Sequence, residues 1–276
     1  QAALQVARHK DGQNRHEILP VEQGRGFCRM PKPDPGDLFF DMEGDPLITG
    51  GLEYLFGFIS GPSSDPVFTA FWAHNREEEK KAFEDAIDFI VERLKQHPDA
   101  HVYHYASYEA SALKRLSIFH ATREAELDDL LRRKKLVDLY RVVGEGVRVS
   151  EPSYSIKNME VFYMPKREGE VKTAGQSVVV YENWRKLQDA ALLTEIEDYN
   201  RVDCVSTLLL RDWLITIRPA AAVWFSAAEA AAQEDEKAEG RQAAELRTAQ
   251  MYQALLRCET PGTATLADLL EFHRRG

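Results

Sequence analysis

The sequence predicts an α/β domain in which helices flank a mixed five-stranded sheet. Three segments rich in β-branched and aromatic residues follow one another closely, a segment with helical periodicity comes next, and short strands then alternate with helices. Short connections between the first three strands indicate an antiparallel meander, whereas strands that follow helices are expected to pair in parallel.

The meander and the first helix occupy the start of the ordered region. The three strand segments are DLFFDME (37–43), EYLFGFIS (53–60) and PVFTAFWA (66–73). A helix then begins, with Asn75 as a plausible N-cap and acidic residues in the first turn, and it ends at the His97-Pro98 pair.

Strands and helices alternate in the remainder. HVYHYA (101–106) and KLVDL (135–139) are strand segments, and Asp138 is expected to cap the element after the second of them. Ser177 is a candidate cap for a further helix, and Pro219 ends the last one. The expected helices are 108–119, 122–134, 154–163, one after a polar loop at 165–176, and 191–217.

Composition divides the chain into three parts. Residues 1–36 end in a proline-rich stretch and are interpreted as an N-terminal linker, because proline discourages regular pairing. Residues 37–218 form the α/β domain. Residues 219–276 are rich in Ala and Glu and are expected to form a helical connector, with a short docking helix at 265–275.

The bulk composition limits the possible classes of protein. Of the 276 residues 44% are hydrophobic, enough for a sizeable core, yet no stretch reaches the roughly 18 apolar residues of a membrane helix. Cys28, Cys204 and Cys258 are far apart, which favours reduced thiols in a cytoplasmic protein. The net charge of −10 is unusual for a protein that binds nucleic acid, but a carboxylate metal site is itself acidic.

Basic residues are nevertheless clustered in two places. Arg132 to Lys135 form one run, and Lys166, Arg167 and Lys172 form another. Such runs are more often solvated faces than phosphate-binding tracks, so both interpretations stay open.

Asp41 and Glu43 are the first candidate functional residues. At positions i and i+2 of a strand their carboxylates project to the same side, while Phe40 and Met42 face the other way. Two adjacent carboxylates repel each other, and a hard divalent cation relieves that repulsion. Taken alone, the pair is more simply interpreted as a solvent-facing strand end that leads into a turn.

Two later positions supply further acidic groups. Tyr199 and Asp203 stand four residues apart, so they share one face of the last predicted helix. Glu109 lies just after a predicted strand, where loops meet at the end of the sheet and sites tend to form, although it could simply favour the helix N-terminus.

In this order the motifs resemble the DEDD exonucleases, the DnaQ-like branch of the ribonuclease H-like superfamily, in the variant with tyrosine. More closely, the chain resembles the YprB-type ribonuclease H-like domain of predicted RecB-like nuclease and helicase proteins. The resemblance covers roughly residues 37–218. Five segments carry it: FFDMEGDP, VYHYASYEASALKRL, LVDLYRVV, YSIKNME and YNRVDCVSTLLLRDWL.

The resemblance implies a ribonuclease H-like fold and a two-metal 3′→5′ exonuclease that acts on single-stranded DNA or RNA. Asp41 would bridge two Mg²⁺ or Mn²⁺ ions, with Glu43 and Asp203 completing one site and Glu109 supporting the second. Tyr199 would orient the attacking water. The flanking segments would join nuclease and helicase domains of the same protein, which agrees with a chain that begins at Gln1 rather than Met.

One residue departs from the pattern of the family, which usually has Asp where this chain has Glu109. The longer side chain leaves the second metal site open, with Asp45 as an alternative carboxylate. Two other functions therefore remain: a catalytically impaired module that binds nucleic acid, and an endonuclease. No glycine-rich phosphate loop is recognisable, so the chain is not expected to bind ATP.

Overall fold

The structure, a computed structural model, describes residues 1–165, 167, 174–227, 246–255, 257 and 266. The strands in this part of the chain are β1 (His16–Ile18), β2 (Leu38–Asp45), β3 (Leu52–Ser60), β4 (Val67–Trp72), β5 (Val102–His104), β6 (Leu136–Asp138) and β7 (Val147–Val149). The α-helices are α1 (Ala2–Asp11), α2 (Arg76–Gln96), α3 (Tyr108–His120), α4 (Glu124–Arg132), α5 (Leu139–Gly146), α6 (Ile156–Met159), α7 (Ala174–Leu187) and α8 (Ala190–Ile217). Short 3₁₀ turns occur at Gly26–Arg29 and Glu160–Phe162.

The main sheet has five strands in the order β4-β3-β2-β5-β6. β2, β3 and β4 pair antiparallel, whereas β5 pairs parallel to β2 and β6 pairs parallel to β5. The mixed five-stranded sheet flanked by helices is therefore confirmed, including the division between the meander and the parallel strands.

Helices cover both faces of this sheet. On one face Phe40 and Phe58 of the sheet belong to a core that includes Phe83 and Ile87 of α2. On the other face Phe39 belongs to a second core, to which α5 and α8 contribute. Successive residues of a strand point to opposite faces, so β2 supplies both cores, and six of its eight residues are buried.

Side-chain caps begin four of the α-helices that the structure describes, and at α6 the cap is Ser155, which accepts from the amide of Asn158. Asn75 accepts hydrogen bonds from the backbone of Glu77 and Glu78, as expected from the sequence. Asp138 accepts from the amide of Tyr140 and so begins α5, again as expected. Asp189 caps α8 in the same way. Ser177 is not a cap, because α7 already starts at Ala174 and Ser177 lies within it, fully buried.

The N-terminal segment differs from the linker expected at 1–36. It contains α1 and β1, and β1 pairs antiparallel with β7 in a separate two-stranded sheet. Phe27, Cys28 and Met30 are buried in the same core as Phe39. The prolines at 31–35 mark the approach to β2, but the apolar residues before them pack against the domain because they can bury area there.

Residues 1–225 and 226–276 form two separate units. In the second unit residues 246–255 are helical. Cys258 and nearly all of the docking helix expected at 265–275 lie outside the described residues, as does most of the expected loop at 165–176. Among the residues that the structure describes, no helix has both the length and the apolar character needed to cross a bilayer.

Candidate metal centre

β2 presents Asp41 and Glu43 on the face of the sheet that α8 covers. Phe40 and Met42 point to the opposite face and pack in the core with α2, as the alternation of a strand requires. The pairing of β2 with β3 shifts register between Glu43 and Gly44, so the regular part of the strand ends directly after the second carboxylate.

α8 brings the last acidic residue to the same place. The carboxylates of Asp41, Glu43 and Asp203 each offer an oxygen, and these oxygens all lie within 4.8 Å of one another. Tyr199, one helical turn before Asp203, is buried beside them. Residues from the two ends of the domain, 162 positions apart in the case of Asp41 and Asp203, thus form one cluster.

Burial and mutual repulsion control the protonation of this cluster. Burial, followed by the charges of Asp203 and Glu43, holds the pKa of Asp41 well above its usual range. Burial and Asp203 raise the pKa of Glu43 to about 8. The pKa of Asp203 is also raised by burial, although Arg167 opposes that shift. Burial and the nearby carboxylates raise the pKa of the Tyr199 phenol.

Glu109 is close to this cluster but does not belong to the three-carboxylate group. It is buried in the first turn of α3, and its Oε2 lies 3.4 Å from Nδ1 of His104, at the end of β5. Its charge contributes to the raised pKa of Asp41, which places it within electrostatic range. Asp45, the alternative acid, instead accepts a hydrogen bond from the amide of Leu47 and shapes the turn after β2.

Asn200 is a site residue that the sequence did not reveal. It is completely buried, and its Nδ2 donates to Oδ2 of Asp41 at 2.8 Å. Gly57, the residue of β3 that pairs with Asp41, makes this contact possible. A Cβ at Gly57 would lie 1.7 Å from Oδ1 of Asn200, so only glycine leaves room for the amide. Its only sequence signal was its position directly after Tyr199, which does not by itself predict a contact with Asp41.

Glu43 also has buried polar neighbours. The polar side chains of Ser177 and Asn200 and the charge of Lys157 oppose the rise in its pKa, since each stabilises the ionised carboxylate. The hydroxyl of Ser177 in turn lies 2.7 Å from that of Tyr54 on β3. Ser177 was expected at a helix cap, but its position links the main sheet to one of the three carboxylates.

Two cations complete the surroundings of the cluster. Lys157, at α6, donates from Nζ to the Tyr199 hydroxyl at 2.8 Å. Arg167 lies 2.5 Å from Oδ1 of Asp203 and also donates to Glu160, with its Nε 2.8 Å from Oε2. Lys157 belongs to the YSIKNME motif, so its position was signalled; Arg167 was visible only as part of a basic run.

The donor set is suited to a hard divalent cation. All three clustered groups are carboxylates, whose oxygens Mg²⁺ and Mn²⁺ prefer, whereas Zn²⁺ prefers nitrogen and sulfur. Glu43 and Asp203 are buried and Asp41 is half-buried, so three acids with raised pKa values are costly when ionised together, and a bound dication would remove that cost. The arrangement can therefore hold a metal ion.

Comparison with known families agrees with the architecture. A family model described as RNase_H superfamily matches residues 38–215, which is more than half of the chain. The match begins at the first residue of β2 and ends in α8, so it spans the main sheet and every residue of the carboxylate cluster. Searches of curated proteins and of solved structures each find no match.

Proposed function

Because the chain belongs to the RNase_H superfamily, we propose that the protein is a metal-dependent nuclease that hydrolyses phosphodiester bonds. The observation that carries the proposal is the group formed by Asp41, Glu43 and Asp203, whose carboxylate oxygens lie within 4.8 Å of one another. Buried, clustered carboxylates of this kind suit the binding of divalent cations in phosphoryl chemistry.

The roles of the site residues follow from their positions. Asp41, Glu43 and Asp203 would hold the metal, and Asn200 orients Asp41 through its amide. Divalent cations bound there would supply the charge that activates a water molecule and stabilises the entering and leaving oxygens. The Tyr199 hydroxyl orients the attacking water, and Lys157 fixes that hydroxyl.

The finer proposal is a 3′→5′ exonuclease that acts on single-stranded DNA or RNA with two Mg²⁺ or Mn²⁺ ions. The order of the motifs supports it, since an Asp-x-Glu strand, an acid after the fourth strand and a Tyr-x-x-x-Asp helix resemble the DEDD exonucleases with tyrosine. Glu109 would support the second ion, a role that the resemblance implies; it lies outside the group of three, but near enough for its charge to raise the pKa of Asp41.

We also propose that the domain is of the YprB type and works in the cytoplasm beside helicase and nuclease domains of one larger protein. The five segments that resemble that domain support this context. Cys28 and Cys204 are buried free thiols, which suits a reducing compartment.

Cleavage of labelled oligonucleotides tests the proposed activity. Purified protein should shorten a 5′-labelled single strand one nucleotide at a time with Mn²⁺ or Mg²⁺, and should leave a circular single strand intact. Asp41→Asn should lower the rate at least about 100-fold, since it removes a metal ligand of similar shape. Asp65→Asn, in the exposed turn between β3 and β4, is the matched control and should keep the full rate.

The results separate the possible functions. Cleavage of the circular strand would identify an endonuclease, and loss of label from the 5′ end first would reverse the polarity. Equal rates for the wild type and Asp41→Asn would refute the assignment of the centre.

One observation favours a second candidate function, a module that binds nucleic acid without cleaving it. The guanidinium of Arg167 pairs with Asp203 and so neutralises part of the negative charge that would attract a metal ion. Under this alternative the protein binds single strands but does not cleave them with either ion, and Arg167→Gln does not create activity. Under the proposed function, Arg167→Gln strengthens metal binding.

A further inference from the structure

The outward face of α3 carries an unusual set of side chains. Its exposed residues recur at intervals of three and four, so they form one continuous stripe along the helix. The stripe, called here the α3 stripe, consists of Tyr108, Ser111, Lys114, Arg115, Ile118 and Phe119. No carboxylate is exposed on this helix, all of which the structure describes, although the chain has a net charge of −10.

Large apolar and aromatic groups are exposed along the stripe. Tyr108 is 51% exposed, Phe119 is 59% exposed and Ile118 is 77% exposed. Several large apolar side chains exposed on one helix face indicate an interaction surface, whereas single ones are common and carry no meaning.

Cations alternate with these groups. Arg115 binds the buried Glu53 with one amino group, yet its side chain remains 41% exposed, and a guanidinium has five donors. The guanidinium of Arg76, from α2, lies 5.2 Å from the centre of the Phe119 ring. Lys114 is exposed between Arg115 and Ser111 on the same face.

The α3 stripe begins beside the candidate metal centre. Tyr108 precedes Glu109, and its hydroxyl donates to Glu53 at 2.9 Å. That hydroxyl would lie 2.8 Å from a Cβ at Gly44, the residue after Glu43. From there the 13-residue helix extends for about 20 Å, long enough for several nucleotides.

We propose that the α3 stripe binds the single-stranded nucleic acid whose end enters the carboxylate centre. Tyr108 and Phe119 stack on bases, which is tolerant of sequence because every base has a π face. Lys114 and Arg115 contact phosphates, which an acidic protein can attract only where cations are concentrated locally. The inference rests on the proposed function, since it names the path of the substrate toward the same centre.

Binding without cleavage tests this path directly. The affinity of fluorescent 12-nucleotide single strands, DNA and RNA, would be measured by anisotropy in EDTA, with every variant built on Asp41→Asn. Phe119→Leu should weaken binding at least about fivefold, because stacking is lost while bulk is kept. Phe119→Tyr, which keeps an aromatic face, should bind as the background protein does.

Salt dependence identifies the phosphate contact. Lys114→Met should reduce the slope of log K against log salt by about 0.7, the value for one contact to a single strand. Lys10→Met removes the same charge from α1 and should leave the slope unchanged. Thermal melts of each variant would verify that the fold is kept, which is expected because the side chains of Phe119, Lys114 and Lys10 are all exposed.

The outcomes are distinct from those of the cleavage assay. Binding that is insensitive to Phe119→Leu and Lys114→Met overturns the path, as does equal weakening by Phe119→Leu and Phe119→Tyr, or no binding by the background protein. If the protein cleaves single strands but fails these binding tests, only the proposed path along the α3 stripe is refuted. If it passes the binding tests but never cleaves, only the proposed nuclease activity is refuted.

Discussion

At the scale of single residues, Lys157 contacts Tyr199 and Arg167 contacts Asp203. Each of these cations contacts a group that the proposed mechanism uses, and neither was among the site residues predicted from the sequence. The nitrogen of Lys157 also lies 4.8 Å from the centre of the Tyr199 ring, so both the hydroxyl and the face of that ring are engaged. The orientation of Tyr199 therefore depends on a neighbour from another element.

Replacing Lys157 tests whether it positions Tyr199. Lys157→Met should lower kcat on a single-stranded substrate about tenfold with little change in KM, because the hydroxyl loses its donor but the binding surface is kept. Lys157→Arg should recover part of the rate. In a Tyr199→Phe background the Lys157→Met change should have almost no further effect, since both remove the same contact. Two fully additive effects would contradict the positioning role.

Glu43 makes the stability of the metal-free protein depend on pH. Its pKa rises from about 4.5 in the unfolded chain to about 8 in the fold, mainly through burial. The folded state therefore holds a proton that the unfolded state releases, and this stability is complete below pH 4.5 and is lost as the pH rises toward 8.

Glu43→Gln removes that loss. In EDTA at pH 8 the Tm of the variant should exceed that of the wild type by about 2 °C or more, and at pH 4.5 the two should agree. Melting curves across this pH range provide the measurement. Mn²⁺ should raise the Tm of the wild type at pH 8 and should raise that of Glu43→Gln less, because the variant lacks a ligand. A constant difference at every pH would rule out this explanation.

At the scale of elements, the centre depends on how closely α8 approaches the β2–β3 pair. Asn200 reaches Asp41 only because Gly57 on β3 has no side chain. The same helix, α8, carries Cys204, whose thiol donates to the carbonyl of Gly57 on β3 at 3.3 Å and whose pKa is raised well above its usual value by burial. The helix therefore lies directly on the backbone of β3.

Gly57→Ala should separate these two elements. The added methyl group overlaps Asn200, so the free energy of unfolding should fall by about 1–3 kcal/mol, and the cleavage rate should fall as Asp41 loses its amide donor. Denaturant unfolding and the cleavage assay measure the two effects. Gly144→Ala is the matched control, since a Cβ there meets no atom within 4 Å and alanine favours the helix. Equal stability of Gly57→Ala and the wild type would contradict the close approach.

At the scale of the whole molecule, the N-terminal segment is part of the domain. β1 pairs with β7, and Met30 is fully buried among residues of α5 and α8. The carbonyl of Met30 also accepts from the amide of Phe225, so the segment before β2 contacts the chain after α8. The unit that packs together is therefore 1–225, longer than the 38–215 that the family model matches.

Met30→Ala measures this contribution. The loss of a buried methionine should lower the free energy of unfolding by about 2–5 kcal/mol, as measured by chemical denaturation. Val6→Ala, on α1 and 55% exposed, should change it by less than about 0.5 kcal/mol. If Met30→Ala were as mild as Val6→Ala, residues 1–36 would behave as the linker expected from the sequence.

Periodic patterns in the sequence predicted much of the fold and part of the candidate site. Residue content and short connections predicted the meander. The alternation of a strand placed Asp41 and Glu43 on one side of it, and helical spacing placed Tyr199 and Asp203 on one face of the last helix. Such periodicities depend only on local backbone geometry, so they can be identified before any contact is known. The order of motifs then indicated the superfamily, which the family match confirms.

Tertiary structure alone decided what surrounds those residues. Ser177, Asn200 and the cations Lys157 and Arg167 act on the centre across many intervening positions, and no local pattern encodes such pairings. The burial that raises the pKa of Glu43 to about 8 results from packing α8 against the sheet, which determines how much solvent remains. The sequence determined which acids could form a metal centre, and the packing of distant elements decided which neighbours hold them and at what protonation.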